Sequence, residues 1–246
     1  MGYEFDWSVI PDNLGLFLDG AAMTVWVALI VIVTSTVLGL LIAFLRMSKI
    51  RLVRYAATAY IEFFRTVPFL VQLFWVYYAI PEMFSISLPS LPAGIIALTL
   101  DVAAFTAETF RAGLQSVGRG QYDAAKAIGM GRTNAMFRVI LPQAVRRVLP
   151  PLGTQWVLMF QDTALLSLIQ LNELTFNAVL LQTTSFRTLE VLSFAALLYL
   201  AMGYPAAKVV DWLHRKYPSS GAITVSRRKR LANKRQTDAV VAGAAK

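Results

Sequence analysis

Ionisable and amide side chains interrupt stretches that are otherwise apolar, and each is a candidate for binding chemistry. A charge at the centre of a membrane-length helix costs roughly 2.5 to 3.5 kcal/mol on insertion, so such a residue needs a partner or a task. Glu62 and Arg65 stand three apart, close enough to pair on one helix face. They could form a neutral structural pair, or Arg65 could turn its guanidinium fork to a carboxylate. Asp101 and Glu108 are seven apart, two turns along nearly the same face. They could grip an ammonium group or bond neighbouring helices, with structure favoured for Glu108. Gln155, Gln161, Asp162 and Thr163 make residues 152–169 the most polar of the apolar segments. Asp162 with Thr163 could cap a helix break or bind across a subunit interface. Thr106 and Ser167 read as hydroxyls bonded to their own helix backbone.

Catalytic patterns are missing. The chain has no Gly-x-x-x-x-Gly-Lys-Ser/Thr loop to cradle nucleotide phosphates, no Gly-x-Gly-x-x-Gly and no Gly-x-Ser-x-Gly. It has no cysteine, which removes disulfides, thiolate metal sites and cysteine nucleophiles. The single histidine, His214, reads as an interfacial polar residue. Neither a cofactor nor a metal is expected in this chain.

The elements that must position these residues are membrane-length helices. Hydrophobic residues make up 57% of the 246 and charged residues 15%, against about a quarter charged in a soluble chain. An all-α membrane protein follows, with five spans at about 21–45, 55–80, 93–110, 152–169 and 191–212. Pro68 is expected to bend the second span and Pro205 to kink the fifth, and Pro150-Pro151 to precede the fourth. Residues 1–20 carry Glu4, Asp6, Asp12 and Asp19 but no lysine or arginine, so they do not read as a secretory signal. Their amphipathic start around Phe5, Trp7 and Ile10 suits a membrane surface. Residues 170–190 form a mixed connector, read as holding a short helix on the outer surface.

Charge orients the spans. Of the 23 lysines and arginines, 21 fall after span one, between spans three and four, or beyond residue 207. Positively charged loops stay in the cytoplasm, so these three segments are expected inside and the acidic N-terminus outside. The net charge of +9 is thus mainly a topology signal. The tail, residues 214–246, is expected to be disordered and drawn to anionic headgroups. No aromatic interleaving supports a nucleic-acid role.

One polar stretch, residues 116–143, sits between apolar segments and reads as a helical hairpin. Gln121 to Met130 puts Tyr122, Ala125 and Ile128 on one face, and Gly129 and Gly131 supply the turn. Thr133 would cap a second turn carrying Met136, Phe137 and Ile140, stopped by Pro142. The small Ala124-Ala125 pair would let another protein approach the backbone closely.

The run Gly-Gln-Tyr-Asp-Ala-Ala-Lys-Ala-Ile-Gly-Met from Gly120, followed by Val-Ile-Leu-Pro-Gln-Ala, resembles the EAA loop of ABC importer permeases. Around it, Phe64–Pro68, Glu108–Gly113, Gln115–Val117 and Gln161–Thr163 resemble blocks of the polar amino acid permease family. The opening Tyr3–Ser8, with Thr154-Gln155 and Phe160–Thr163, is most similar to the glutamate/aspartate branch. Asp123 departs from the usual glutamate and Gln161 from the lysine of the wider family.

The resemblance implies an ABC type I importer permease fold, with a transmembrane domain at 21–213 and a coupling loop at 116–143. The coupling positions carried over are Gly120, Gln121, Asp123, Ala124, Ala125, Gly129, Leu141 and Pro142. The implied substrate path holds Arg65, Asp101, Glu108, Gln161, Asp162 and Thr163. Implied partners are a pair of ATP-binding subunits that use ATP and Mg, a second permease, identical or homologous, and an extracytoplasmic binding protein. The implied setting is a bacterial inner membrane, and the implied cargo glutamate and aspartate, or another polar amino acid of basic or glutamine/histidine type. An ion-coupled transporter and an acid-dependent membrane enzyme using Asp101 and Glu108 are weaker rivals, since neither a repeat nor a nucleophile arrangement is visible.

Overall fold

The structure, a computed structural model, describes residues 5–217. The expectation for the basic tail beyond Tyr217 lies outside the described residues. A single turn, α1 (Val9–Asp12), leads into α2 (Leu14–Arg46), 33 residues long and apolar all round. A helix without a polar face must be buried or lie in lipid. Here Val27, Val31 and Ala43 face the bundle while Leu29, Val33 and Leu41 are exposed.

The second expected span is two helices. α3 (Arg51–Thr66) and the segment Phe69–Phe84 meet at 108°. That segment comprises α4 (Phe69–Phe74), a π-helical turn (Trp75–Ala79) and α5 (Ile80–Phe84). Pro68 is the cause: it has no N–H to give the Phe64 carbonyl, and its ring forbids a continuous helix. A side chain repairs the break. Gln72 Nε2 donates to Phe64 O at 2.9 Å and to Val67 O at 2.8 Å. Broken helices at membrane depth persist where freed backbone groups find partners like this.

α6 (Ser90–Ser116) is the central helix, packed most extensively on α2. Ala93, Ala97, Ala103, Ala104 and Ala107 are buried along it. Small residues at such an interface permit the close approach that stabilises helices in lipid. Gly39 marks a close approach of α2 to α6, since a Cβ there would lie 2.6 Å from Thr106 Cγ2 and 3.0 Å from the Ala103 carbonyl.

After α6 come α7 (Arg119–Ala127), α8 (Arg132–Ala135), a π-helical turn (Met136–Ile140) and α9 (Leu141–Asp162). Two expectations are corrected here. Pro142 does not stop a helix but stands at the start of α9, where a missing N–H is tolerated, just after the wider π turn. Pro150 and Pro151 lie inside α9 and do not precede it. At Thr163 the helix tightens to a 3-10 segment (Thr163–Ile169). α10 (Leu174–Ser185) follows at a 49° bend. It is the short helix expected in the 170–190 connector, and one face of it is buried: Leu174, Ala178 and Leu181 share a core with Phe17 of α2 and with Val191 and Ala195 of the last helix. That helix, α11 (Thr188–Lys216), runs unbroken through Pro205 and beyond residue 213.

Among the described residues three helices, α2, α6 and α11, are long and apolar enough to cross a membrane, and the count reaches five if each of the two bent pairs is one span. The five expected spans fall on these three helices and two bent pairs.

Candidate functional site

Residues from α3, α6 and α9 enclose a cleft of about 320 Å3 at the Pro68 break. Its polar lining is Arg65, Asp101, Gln155 and Asp162, set among Phe64, Phe105, Leu158 and Met159. The break creates the cleft, because turning the chain by 108° opens space beside the middle of α6. Arg65 makes no ion pair among the described residues; its guanidinium carbon stands 5.6 Å from the centroid of the Phe105 ring. A ring face holds the cation in place without neutralising it. Asp101 is buried, and one of its oxygens accepts from Gln72 Nε2 at 3.0 Å. The amide that repairs the broken helix therefore also fixes a carboxylate of the cleft. Gln155 donates to Thr109 Oγ1 at 2.7 Å, while its carbonyl oxygen is buried without a partner.

The cleft can do simple chemistry. One unpaired guanidinium suits a carboxylate, and two carboxylates on other walls suit an ammonium group. A zwitterion satisfies both. The apolar remainder strengthens such contacts by keeping the local dielectric low.

Of the six residues carried over as a path, the structure brings together Arg65, Asp101 and Asp162. The other three lie elsewhere. Glu108 is held by Arg111, three residues on, and its Oε2 stands 3.2 Å from Arg46 Nη1. It shares no site with Asp101 despite the seven-residue spacing. Gln161 lines a separate groove with Tyr199 and Tyr204. Thr163 is fully buried and donates to the Phe160 carbonyl at 2.7 Å. Asp162 stands where α-helix becomes 3-10 helix, as expected of a break, but makes no capping bond there. The Glu62–Arg65 pair is not formed; Glu62 lies 4.0 Å from Arg46 instead.

Among the buried polar residues that the sequence reading did not single out, two hold the frame together. Gln72 is one, a glutamine four residues beyond a proline in an apolar run. Glu173 is the other. Fully buried, it accepts from Tyr199 Oη at 2.8 Å, from the Phe176 amide at 2.8 Å and from Thr24 Oγ1 at 3.4 Å. It caps α10 and ties that helix to α2 and α11. Glutamate is not among the favoured N-cap residues, so neither the cap nor its burial was signalled in the sequence.

The hairpin is the second candidate region. α7 ends as Gly129 N donates to Lys126 O and Met130 N to Ala125 O, both at 3.0 Å. Gly129 adopts φ +81°, a conformation glycine takes without strain. The first turn of α8 follows Gly131, so Thr133 is not its cap. Ala125 is buried and Tyr122 half-buried, but Ile128 is 78% exposed, off the packed face expected for it. Gly120, Gln121, Asp123, Ala124, Gly129, Phe137 and Pro142 are exposed, whereas Leu141 is half-buried where α9 begins. Gln121 and Gln143 link α7 to α9 at 3.2 Å, and Arg147 donates to the Ser116 carbonyl. The result is a braced knob with an unpartnered tip.

Comparisons with known proteins bear on both regions. The family described as binding-protein-dependent transport system inner membrane component matches residues 35–217. The probable glutamine ABC transporter permease protein GlnM of Bacillus subtilis (strain 168) is 34% identical, over 87% of this chain and 98% of its own. The glutamate/aspartate import permease protein GltK of Escherichia coli O6:H1 is 33% identical, over 87% of this chain and 99% of its own. A crystal structure of an amino acid ABC transporter with histidines contains a chain that superposes with a TM-score of 0.82 at 33% identity, covering 87% of this chain and all of that one. On these grounds the chain belongs to the binding-protein-dependent transport system inner membrane component family, as an amino acid ABC permease subunit.

Proposed function

We propose that this chain forms the membrane path of an ATP-driven importer of polar amino acids, with Arg65, Asp101 and Asp162 as its substrate contacts. One observation carries the reading: the Pro68 break gathers an unpaired guanidinium and two carboxylates around one cleft. Arg65 would take the α-carboxylate, Asp101 and Asp162 the α-ammonium, and Gln155 a polar side chain. Motor function lies with separate subunits, since this sequence has no nucleotide-binding loop. These subunits, using ATP and Mg, would seat the hairpin tip through Gly120, Gln121, Asp123, Ala124, Ala125 and Gly129, with Leu141 and Pro142 at its base. A second permease and an extracytoplasmic binding protein would complete the assembly in a bacterial inner membrane. The acidic N-terminus would then be outside and the basic ends of the helices inside.

For the cargo, two readings have support. Glutamate or aspartate is supported by the resemblance of the Phe160–Thr163 block and by the glutamate/aspartate relative. A neutral side chain such as glutamine is supported by the glutamine relatives and by the lining, where two carboxylates face one guanidinium. Purification of the chain with its attached subunits, followed by uptake of labelled glutamine, glutamate, aspartate and arginine into proteoliposomes, tests this. ATP-dependent uptake of one polar class is expected. Uptake that proceeds without any ATP-hydrolysing subunit contradicts the reading.

A further inference from the structure

A second polar cavity, distinct from the cleft, lies at the basic end of the bundle. Arg46 at the end of α2, Arg54 of α3 and Arg111 of α6 line a space of about 460 Å3 with Ser48, Tyr55, Thr58 and Gln115. Three guanidinium groups from three helices would repel one another if nothing countered them. Glu108 counters two of them, Arg46 and Arg111. Arg54 makes no ion pair among the described residues and stands over the Tyr55 ring at 5.7 Å. Nη1 of Arg46 stands 3.2 Å from Glu108 Oε2 and 4.0 Å from Glu62 Oε1, so its charge is met within the chain. That leaves the Arg54 guanidinium as the uncompensated cation on a wall where three guanidinium groups converge, and such a wall calls for an anion.

The rim says which anion. Met47, Ile50, Leu52 and Tyr55 are exposed beside the arginines. Apolar and aromatic side chains standing around basic heads at the end of a span suit the boundary between acyl chains and headgroups. A soluble anion would leave these residues uncovered, whereas a lipid would cover them. We propose that the Arg46–Arg54–Arg111 cavity binds the phosphate of an anionic phospholipid, the acyl chains lying over Met47, Ile50 and Leu52. Basic pockets between helices at a membrane face hold such headgroups by charge and by guanidinium forks.

Native mass spectrometry of the full chain in detergent, titrated with phosphatidylglycerol and with phosphatidylcholine of the same acyl chains, tests the proposal. Retention of phosphatidylglycerol is expected to exceed that of phosphatidylcholine, and Arg54→Gln to weaken it about fivefold to tenfold. Because Arg54 is half-exposed, Arg54→Gln is expected to leave helical content unchanged by circular dichroism. Arg54→Lys keeps the charge without the fork and is expected to fall between the two. The basic run Arg227–Arg230 gives an internal comparison, since its replacement by glutamine should lower weak multiple adducts and spare the single tight one. Equal retention by wild type and Arg54→Gln would overturn the proposal. Displacement of the lipid by millimolar inorganic phosphate would assign the site to a soluble phosphate and overturn its lipid half.

Discussion

The cleft and the hairpin both hold polar residues in a largely apolar chain, yet they are built in opposite ways. In the cleft, polar groups are tied to the helices around them: Gln72 braces Asp101, and Phe105 covers Arg65. In the hairpin, the frame is braced by Gln121–Gln143 and Arg147–Ser116, while the tip meets nothing of its own chain. A bare apolar Ile128 and an open glycine turn cost stability in isolation and gain it only when a partner covers them. On the proposed function, recognition is placed where positions are fixed, and coupling where a surface is left free. A machine that moves cargo by another subunit's work needs both.

Substitutions can break this contrast, and the largest effect is expected in the cleft. Arg65→Ala removes the unpaired cation, and uptake at low substrate should fall about tenfold to a hundredfold, a charged hydrogen bond being worth about 1.5 to 3 kcal/mol. ATP hydrolysis by the attached subunits should persist. A comparable loss from Glu108→Gln would show that the cleft is not the path.

Gly129→Asp in the hairpin is expected to leave the bundle folded, because nothing lies within 4 Å of a Cβ there and the strain of a side chain at φ +81° is confined to an exposed turn. Uptake should be lost while substrate binding is kept. Retained substrate-stimulated uptake would detach the tip from coupling.

Two further changes probe the frame. Glu173→Ala strips Tyr199 Oη and the Phe176 amide of their carboxylate acceptor in a buried site and should lower stability by about 2 to 3 kcal/mol, read as a drop in melting temperature. Gly39→Ala drives a methyl into Thr106 and the Ala103 carbonyl and should cost about 1 to 3 kcal/mol. Neither should change substrate preference. A shift in preference would tie the frame to recognition.

Much of this was legible in the sequence. Hydrophobic runs located α2, α6 and α11, and proline at position 68 marked the break. Glycine at 129 marked the hairpin turn, and charge types singled out Arg65, Asp101 and Asp162. What was not legible depends on three-dimensional neighbours. The seven-residue spacing of Asp101 and Glu108 suggested a shared task, but Arg46 at the end of α2 and Arg111 one turn on in α6 claim Glu108. Pro142, Pro150 and Pro151 read as boundaries, yet a preceding π turn and a continuous helix absorb them. Glu173 read as part of a loose connector because burial of a carboxylate cannot be seen until Tyr199 and Thr24 are placed beside it.

The central claim is that the tip between α7 and α8 faces the cytosol and is covered by an ATP-hydrolysing subunit. The chain has no cysteine, so Ala124→Cys gives a single reactive position at the exposed tip. Labelling with a membrane-impermeant maleimide in sealed vesicles of both orientations measures the claim directly. Reaction only from the cytosolic face, with protection when the ATP-hydrolysing subunits are bound, is the predicted result. Reaction from the outer face, or undiminished reaction in the assembled complex, would contradict it.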